Sequence, residues 1–160
     1  MRGRYLMGAG AGLAAALAAG AALAAGSLMA VIGGSGEVTI NGARLAATQV
    51  YYFYFSNNGR TSFSVHTDAG AIGFSGQMDA RPEPHLYVLT VDSIVRTKNG
   101  KPADRQDAEG TCELRYGDRQ SDVKSITCNA TLQGGSKALL RFDGDGLPAK
   151  VSPIPDAPEG

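Results

Sequence analysis

The sequence predicts an all-β protein, either an antiparallel β-sandwich or a small barrel of about seven or eight strands. Two observations support this fold class. From residue 37 onward, apolar and polar residues alternate with the period of two that is typical of half-buried strands. Turn-forming Gly, Asn and Asp residues interrupt this alternation at short intervals, as they do in sandwiches and barrels. A chain of 160 residues has room for one such domain.

An uncharged segment rich in Ala and Gly precedes the strands. Residues 5–36 carry no charged side chain, and two arginines stand before them. This layout is typical of a secretory signal peptide, with candidate cleavage sites at the Ala-Leu-Ala of residues 22–24 and the Ala-Gly-Ser of residues 25–27. The alternative is an uncleaved membrane anchor over residues 5–32, because this run exceeds the roughly 20 residues that span a bilayer. Both interpretations predict an exported domain that is periplasmic, secreted or anchored in the inner membrane.

The predicted strands follow one another with short turns between them. We expect strands at Glu37–Ile40, Val50–Phe55, Thr61–His66, Ala71–Met78, Leu86–Thr97, Thr111–Tyr116, Val123–Thr131 and Ala138–Asp143. Turn residues lie at 41–42, 58–59, 68–70, 99–100, 117–118 and 134–135. Residues 43–48 are ambiguous and could form a short helix after Asn41. The chain is thus divided into an N-terminal segment (1–30), a β domain (37–146) and a Pro-rich tail (147–160).

Two stretches are predicted to lie outside the strands. Residues 97–110 carry charges of both signs, which favours a solvated loop longer than a hairpin requires. The second stretch is the tail, whose four prolines favour an extended or disordered chain: Pro148, Pro153, Pro155 and Pro158.

The Asn58-Gly59 pair predicts a tight hairpin, because Asn-Gly readily adopts the positive φ angles of a two-residue turn. Such a turn sets two apolar pairs on one face, which we expect in the core: Tyr54 with Phe63 and Tyr52 with Val65. The opposite face then pairs aromatic residues with polar ones: Phe55 with Ser62, Phe53 with Ser64 and Tyr51 with His66.

Cys112 and Cys128 are symmetric about the turn segment 117–121, so a hairpin there places them directly opposite each other. Because the predicted export passes through an oxidising compartment, we expect a structural disulfide between them. A second hairpin, with a three-residue turn, extends the same buried face. The expected pairs on this face are Leu114 with Ile126, Ala130 with Leu140, and Cys128 with Phe142.

The outer face of the first hairpin carries the candidate binding residues, which are Tyr51, Phe53, Phe55, Ser64 and His66. Aromatic rings beside hydroxyl groups on an open sheet face can stack on a sugar ring or hold a partner chain. Core packing explains the same aromatic run equally well if another part of the fold covers this face. The binding interpretation therefore predicts that Phe53 and Phe55 are exposed in the folded monomer.

Catalytic and metal chemistry have little support in the sequence. His66 and Asp68 are close together, but the Gly-Phe-Ser-Gly of residues 73–76 lacks the G-x-S-x-G pattern of a nucleophile elbow. His66 and His85 lie in different elements, and cysteines in a disulfide are lost as metal ligands. The acidic segment 143–146 resembles the opening of a calcium loop but lacks the further oxygen donors that calcium requires. We predict no catalytic residue, no metal site and no cofactor.

The sequence thus predicts an exported, non-enzymatic domain that binds an envelope glycan or a partner protein. Its 15 basic and 15 acidic side chains balance, which argues against a nucleic acid partner. Contact with a membrane is expected only if residues 5–32 are retained. Two alternatives stay open: a small extracytoplasmic hydrolase using His66, and a structural subunit of a membrane-anchored assembly.

Overall fold

Ten antiparallel strands form within residues 26–155, the part of the chain that the structure, a computed structural model, describes. We number them β1 to β10 in chain order. Their bounds are β1 Leu28–Ile40, β2 Ala43–Phe55, β3 Arg60–Thr67, β4 Gly70–Gly76, β5 Met78–Glu83, β6 Leu86–Lys98, β7 Lys101–Tyr116, β8 Val123–Leu132, β9 Lys137–Gly144 and β10 Lys150–Pro153. Most of the predicted signal or anchor, up to residue 25, lies outside the described residues.

Eight of the strands close into an antiparallel barrel. Their hydrogen-bonded order is β1-β2-β3-β4-β6-β7-β8-β9, and the pairing of β9 with β1 closes the ring. Strand β5 pairs with the beginning of β6, and β10 pairs with the beginning of β1, so both extend the wall at the same end of the barrel. The predicted all-β class is confirmed, and the barrel is the correct one of the two predicted architectures.

Side chains fill the interior of this barrel. Alternate residues of each strand point inward, and eight strands enclose a space just wide enough for side chains. Phe63 packs with two tyrosine rings in a cluster of three, with its ring centroid 5.5 Å from that of Tyr52 and 6.2 Å from that of Tyr87. The largest buried side chains are Tyr52, Tyr87, Phe63, Phe74 and Phe142. Tyr52 and Phe63, on the inward face of the first hairpin, are therefore core residues as predicted, whereas Tyr54 is only partly buried against the core.

Strand β1 begins at Leu28, nine residues before the predicted start at Glu37. Leu28, Ala30 and Ile32 alternate into the core and are at most 5% exposed. Residues 28–32, which the sequence analysis assigned wholly or partly to the N-terminal segment, are therefore part of the barrel wall. The boundary was not visible in the sequence because the uncharged run continues through it without a break.

Four further segments are strands that were not predicted, and the first of them is residues 79–83, which belong to β5. Residues 43–48 belong to β2. The predicted loop over residues 97–110 is wrong, because β6 and β7 meet at a tight turn in which Asn99 and Gly100 have φ angles of 54° and 72°. Polar residues are compatible with a strand here, since the outer face of an antiparallel sheet can be solvated. Residues 150–153 of the Pro-rich tail form β10.

The β2–β3 hairpin is shifted by two residues from the predicted pairing. Tyr52 lies opposite Phe63, and Phe53 lies opposite Ser62. The turn contains the four residues 56–59 instead of two, and the Gly59 N–H donates a hydrogen bond to the Phe55 carbonyl at 2.8 Å. Because the shift is even, every side chain keeps its predicted face.

Cys112 and Cys128 form the predicted disulfide at directly opposite positions of β7 and β8. The neighbouring pair, Leu114 with Ile126, is also confirmed. In the β8–β9 hairpin the pairing again shifts by two residues, so that Cys128 faces Leu140. All members of the predicted apolar face are buried, because this shift is even as well.

Candidate binding groove

A row of aromatic rings runs along the outer face of β2. Tyr51, Phe53 and Phe55 are alternate residues of this strand and therefore point to the same side. Their rings are almost parallel: the first two centroids are 6.2 Å apart at 13°, and the next two are 6.0 Å apart at 9°. All three side chains are partly exposed, so the rings form a rigid apolar surface that solvent and ligands can reach.

Small residues border this row on the neighbouring strands. Ser62 and Ser64 of β3 lie beside the rings, and Gly73 of β4 lies beside Ser64. A Cβ atom at Gly73 would lie 3.2 Å from the Ser62 hydroxyl oxygen. Because Gly73 has no side chain, the surface stays low beside this hydroxyl. Large rings next to small residues create a depression, and its floor carries hydroxyl groups.

The far side of the depression is formed by β6 and β7. Val95 lies beside Gly73, and Arg105 lies beside Val95 on the outer face. The resulting groove has a volume of about 360 Å³, which is within the range of small-ligand sites. Its lining residues are Phe53, Phe55, Asn57, Asn58, Arg60, Ser62, Ser64, Gly73, Ser75, Val95, Thr97 and Arg105.

Arg60 closes one end of the groove. Its guanidinium group donates hydrogen bonds to the hydroxyls of Ser75 and Ser93, both at 3.2 Å, and forms an ion pair with Asp92. Only 17% of the Arg60 side chain is exposed. Partial burial acts to raise the pKa of Asp92, but hydrogen bonds from Arg60 and Ser93 and the charges of Arg60 and Arg105 outweigh it and hold this pKa below its ordinary value.

Arg105 is in a different electrostatic situation. It is exposed on the outer face of β7, and within residues 26–155 its guanidinium group forms no ion pair. Asp92 forms an ion pair with Arg60, whereas Arg105 acts on Asp92 only through its charge, so that among the described residues the N–H donors of Arg105 remain available to a ligand. The lining of the groove contains these two arginines and no acidic side chain.

The side of the aromatic row away from the groove is covered by β1. Met29 lies opposite Phe53, and Val31 lies opposite Tyr51. Both β1 side chains are partly buried. They extend the apolar surface to a band across two strands.

The structure brings together three of the five predicted site residues in the groove itself, namely Phe53, Phe55 and Ser64. The other two, Tyr51 and His66, continue the row beyond its lining, with their ring centroids 4.3 Å apart. Phe53 and Phe55 are neither fully buried nor fully exposed.

Sequence reasoning missed most of the opposite wall. Arg60 shares the alternation of Ser62 and Ser64, and this signal was available in the sequence. Val95 was inside a predicted strand, but Arg105 lies beside it only because β7 occupies the stretch predicted as a loop, and the β6–β7 pairing is irregular at two places. The contribution of Arg105 was therefore hidden by the error in the predicted strand boundary.

His66 lies against the ring of Tyr51, and partial burial lowers its pKa. Among the described residues, no acid or hydroxyl forms a hydrogen bond with its imidazole. The structure thus gives the hydrolase alternative no base–nucleophile pair, and this alternative stays a prediction. In the part of the chain that the structure describes, no group of three His, Cys, Asp or Glu side chains is arranged to hold a metal ion.

Comparisons of the chain with protein-family models, with curated protein sequences and with solved structures give no match. None of residues 26–155 belongs to a helix that is long and apolar enough to cross a membrane. A proposal about function therefore depends on the chemistry of the groove.

Proposed function

We propose that this protein is an exported carbohydrate-binding domain that holds a glycan of the cell envelope in the outer groove. The observation that carries the proposal is the row of parallel, partly exposed rings beside a floor of serines. Sugar rings have an apolar face of C–H groups and a periphery of hydroxyls. An aromatic ring complements the first, and side-chain hydroxyls complement the second.

The groove is well prepared for such a ligand. The aromatic rings stack on one another, and Met29 and Val31 lie at the opposite positions of β1, so we expect binding to order few additional rotamers. Within the described residues, the hydroxyls of Ser62 and Ser64 make no side-chain hydrogen bond, which leaves both donors and acceptors available. A ligand lying on Phe53 would have these hydroxyls along its edge.

We expect Phe53→Ala to weaken glycan binding by about tenfold or more, which corresponds to about 1.4 kcal/mol. The variant removes the central ring of the row and with it the apolar contact to the sugar face. Binding to an array of immobilised bacterial envelope polysaccharides, followed by calorimetry with the oligosaccharides that score, measures the effect.

Leu139→Ala is the matched control. Leu139 is a large apolar side chain on the outer face of β9, 37% exposed and away from the groove. Its removal should leave glycan binding unchanged. Equal losses in both variants, or no polysaccharide bound by the wild-type protein, would contradict the proposal.

A partner protein is the second candidate, and one observation favours it. Met29 and Val31 extend the aromatic row to an apolar band across β1 and β2, which a partner chain can cover. Retention of an envelope protein together with failure on every polysaccharide of the array would favour this candidate.

The proposed export is supported by the disulfide and by the layout of the N-terminal segment. The hydrogen bonds of Ser27 distinguish the two candidate cleavage sites. Ser27 accepts hydrogen bonds from the Ser56 N–H at 3.0 Å and, through its carbonyl, from the Ile154 N–H at 2.9 Å. Cleavage after Ser27 removes these bonds, whereas cleavage after Ala24 keeps them.

We therefore expect the mature protein to begin at Ala25, and Edman sequencing of protein purified from the native host tests this. An intact N-terminus would instead indicate a retained anchor. Because residues 28–32 belong to the barrel, that anchor is confined to residues 5–27, which is still about the length that a bilayer requires.

A further inference from the structure

We propose that the glycan in the groove is an acidic oligosaccharide whose carboxylate is bound by Arg105. This inference is based on the proposed function and specifies its ligand class. It comes from the distribution of charge around the groove and from the width of the sheet surface that the groove crosses.

The charged side chains that line the groove are both positive. Its lining contains Arg60, Arg105 and no acidic residue. Arg60 is engaged by Asp92 and by two serine hydroxyls, and its side chain is largely buried. Asp107 is the acidic residue nearest along the outer face of β7, and it forms no ion pair with Arg105. Asp92 feels the charge of Arg105 but forms its ion pair with Arg60, so Arg105 is the groove arginine whose guanidinium group a ligand can pair with.

A guanidinium group is suited to a carboxylate. It presents two parallel N–H donors that match the two oxygens, and hydrogen bonds of this kind are stronger than those between neutral groups. Neutral sugar hydroxyls gain less from the same contact. Arg105 thus gives the groove a preference for sugars that carry an acidic group.

The spacing of the strands gives the distance along the wall between the aromatic row and Arg105. One outer row of residues crosses the wall from the aromatic side to the arginine side: Tyr51, Ser64, Gly73, Val95 and Arg105. These residues lie on five neighbouring strands, so four strand spacings separate the ends, or ~19 Å along the wall. This span separates backbone positions, and the side chains of Phe53 and Arg105 extend from its two sides into one groove, where a short oligosaccharide can contact both.

Calorimetry with four probes tests the proposal. The probes are an oligogalacturonate, a neutral chito-oligosaccharide of equal length and the two corresponding monosaccharides. We expect the wild-type protein to bind the acidic oligomer most tightly and to bind both monosaccharides much more weakly. Raising the salt concentration should weaken binding of the acidic oligomer alone, because the contact with Arg105 is exposed to solvent.

Arg105→Gln should weaken binding of the acidic oligomer by roughly tenfold or more and change binding of the neutral oligomer by less than about twofold. Arg105→Lys, which keeps the charge but loses the paired donors, should give an intermediate loss. Arg141→Gln is the matched control, since Arg141 is an exposed arginine on the outer face of β9. Thermal unfolding of each variant shows whether its fold is intact.

The outcomes separate this inference from the proposed function. Binding of the acidic and neutral oligomers with equal affinity, or an acidic affinity unchanged in Arg105→Gln, overturns the acidic ligand while the glycan site stands. Failure to bind either oligomer, in a wild-type protein that also retains no envelope polysaccharide, overturns both.

Discussion

Replacing Phe63 with alanine should lower the free energy of unfolding by about 3–5 kcal/mol. Phe63 is completely buried in the barrel, where its ring contacts those of Tyr52 and Tyr87. Its removal loses the burial of a large apolar surface and leaves a cavity that surrounding strands, joined by hydrogen bonds on both sides, cannot close. Small domains are stable by about 5–15 kcal/mol, so this is a large share of the total. Urea unfolding followed by circular dichroism measures it.

Phe53→Ala is the matched control for this experiment. Phe53 is in the same hairpin, but it points to the outer face and is partly exposed. We expect its loss of stability to be below about 1.5 kcal/mol, since the lost contacts are those with neighbouring rings. Similar losses for the two variants would show that the faces of the hairpin are assigned wrongly. If Phe63→Ala does not fold, Phe63→Leu keeps most of the volume, and its smaller loss gives the same comparison.

Replacing both cysteines, as Cys112→Ala with Cys128→Ala, should lower the free energy of unfolding by about 3 kcal/mol. The disulfide links strands β7 and β8 across the turn between them and encloses a loop of about 15 residues. The bond restricts the unfolded chain, and both sulfur atoms are also buried in the core. Unfolding in urea, with and without reductant, measures the effect.

Reductant supplies the internal comparison for the disulfide. It should lower the midpoint of wild-type unfolding and leave that of the double variant unchanged. A wild-type midpoint that does not respond to a reductant, with the thiols shown by titration to be free, would mean that the bond contributes little to stability. This result would also remove one of the two supports for export.

The extent to which the sequence predicted the fold differs between local and distant pairings. The face of each hairpin was predicted correctly, because side chains alternate with a period of two and both register errors were even. The turn at Asn58-Gly59 contains four residues, although its composition suggested two. The alternation of side chains cannot reveal the length of a turn. The pairing of β1 with β9 joins residues about a hundred positions apart, such as Val38 with Leu140, and no local pattern specifies it.

The candidate site also divides into a part that local sequence patterns predict and a part that depends on distant strands. The aromatic side of the groove was predictable, since Tyr51, Phe53 and Phe55 lie on one strand and share its alternation. The other side was not, because Arg105 reaches the groove only when β4, β6 and β7 are placed beside the first hairpin. Strands β4 and β6 are neighbours although β5 lies between them in the chain.

Local sequence patterns were enough to predict an antiparallel β domain, the apolar faces of its hairpins and the pairing of its two cysteines. These properties follow from alternation and from symmetry about a turn, and both are local. The tertiary structure alone decided that the sheet closes into a barrel, that residues 28–32 are part of its wall, and that Arg105 faces the aromatic row across a groove. The physical reason is that closure depends on hydrogen bonds and packing between strands distant in the chain, whose partners are selected only when the whole barrel forms.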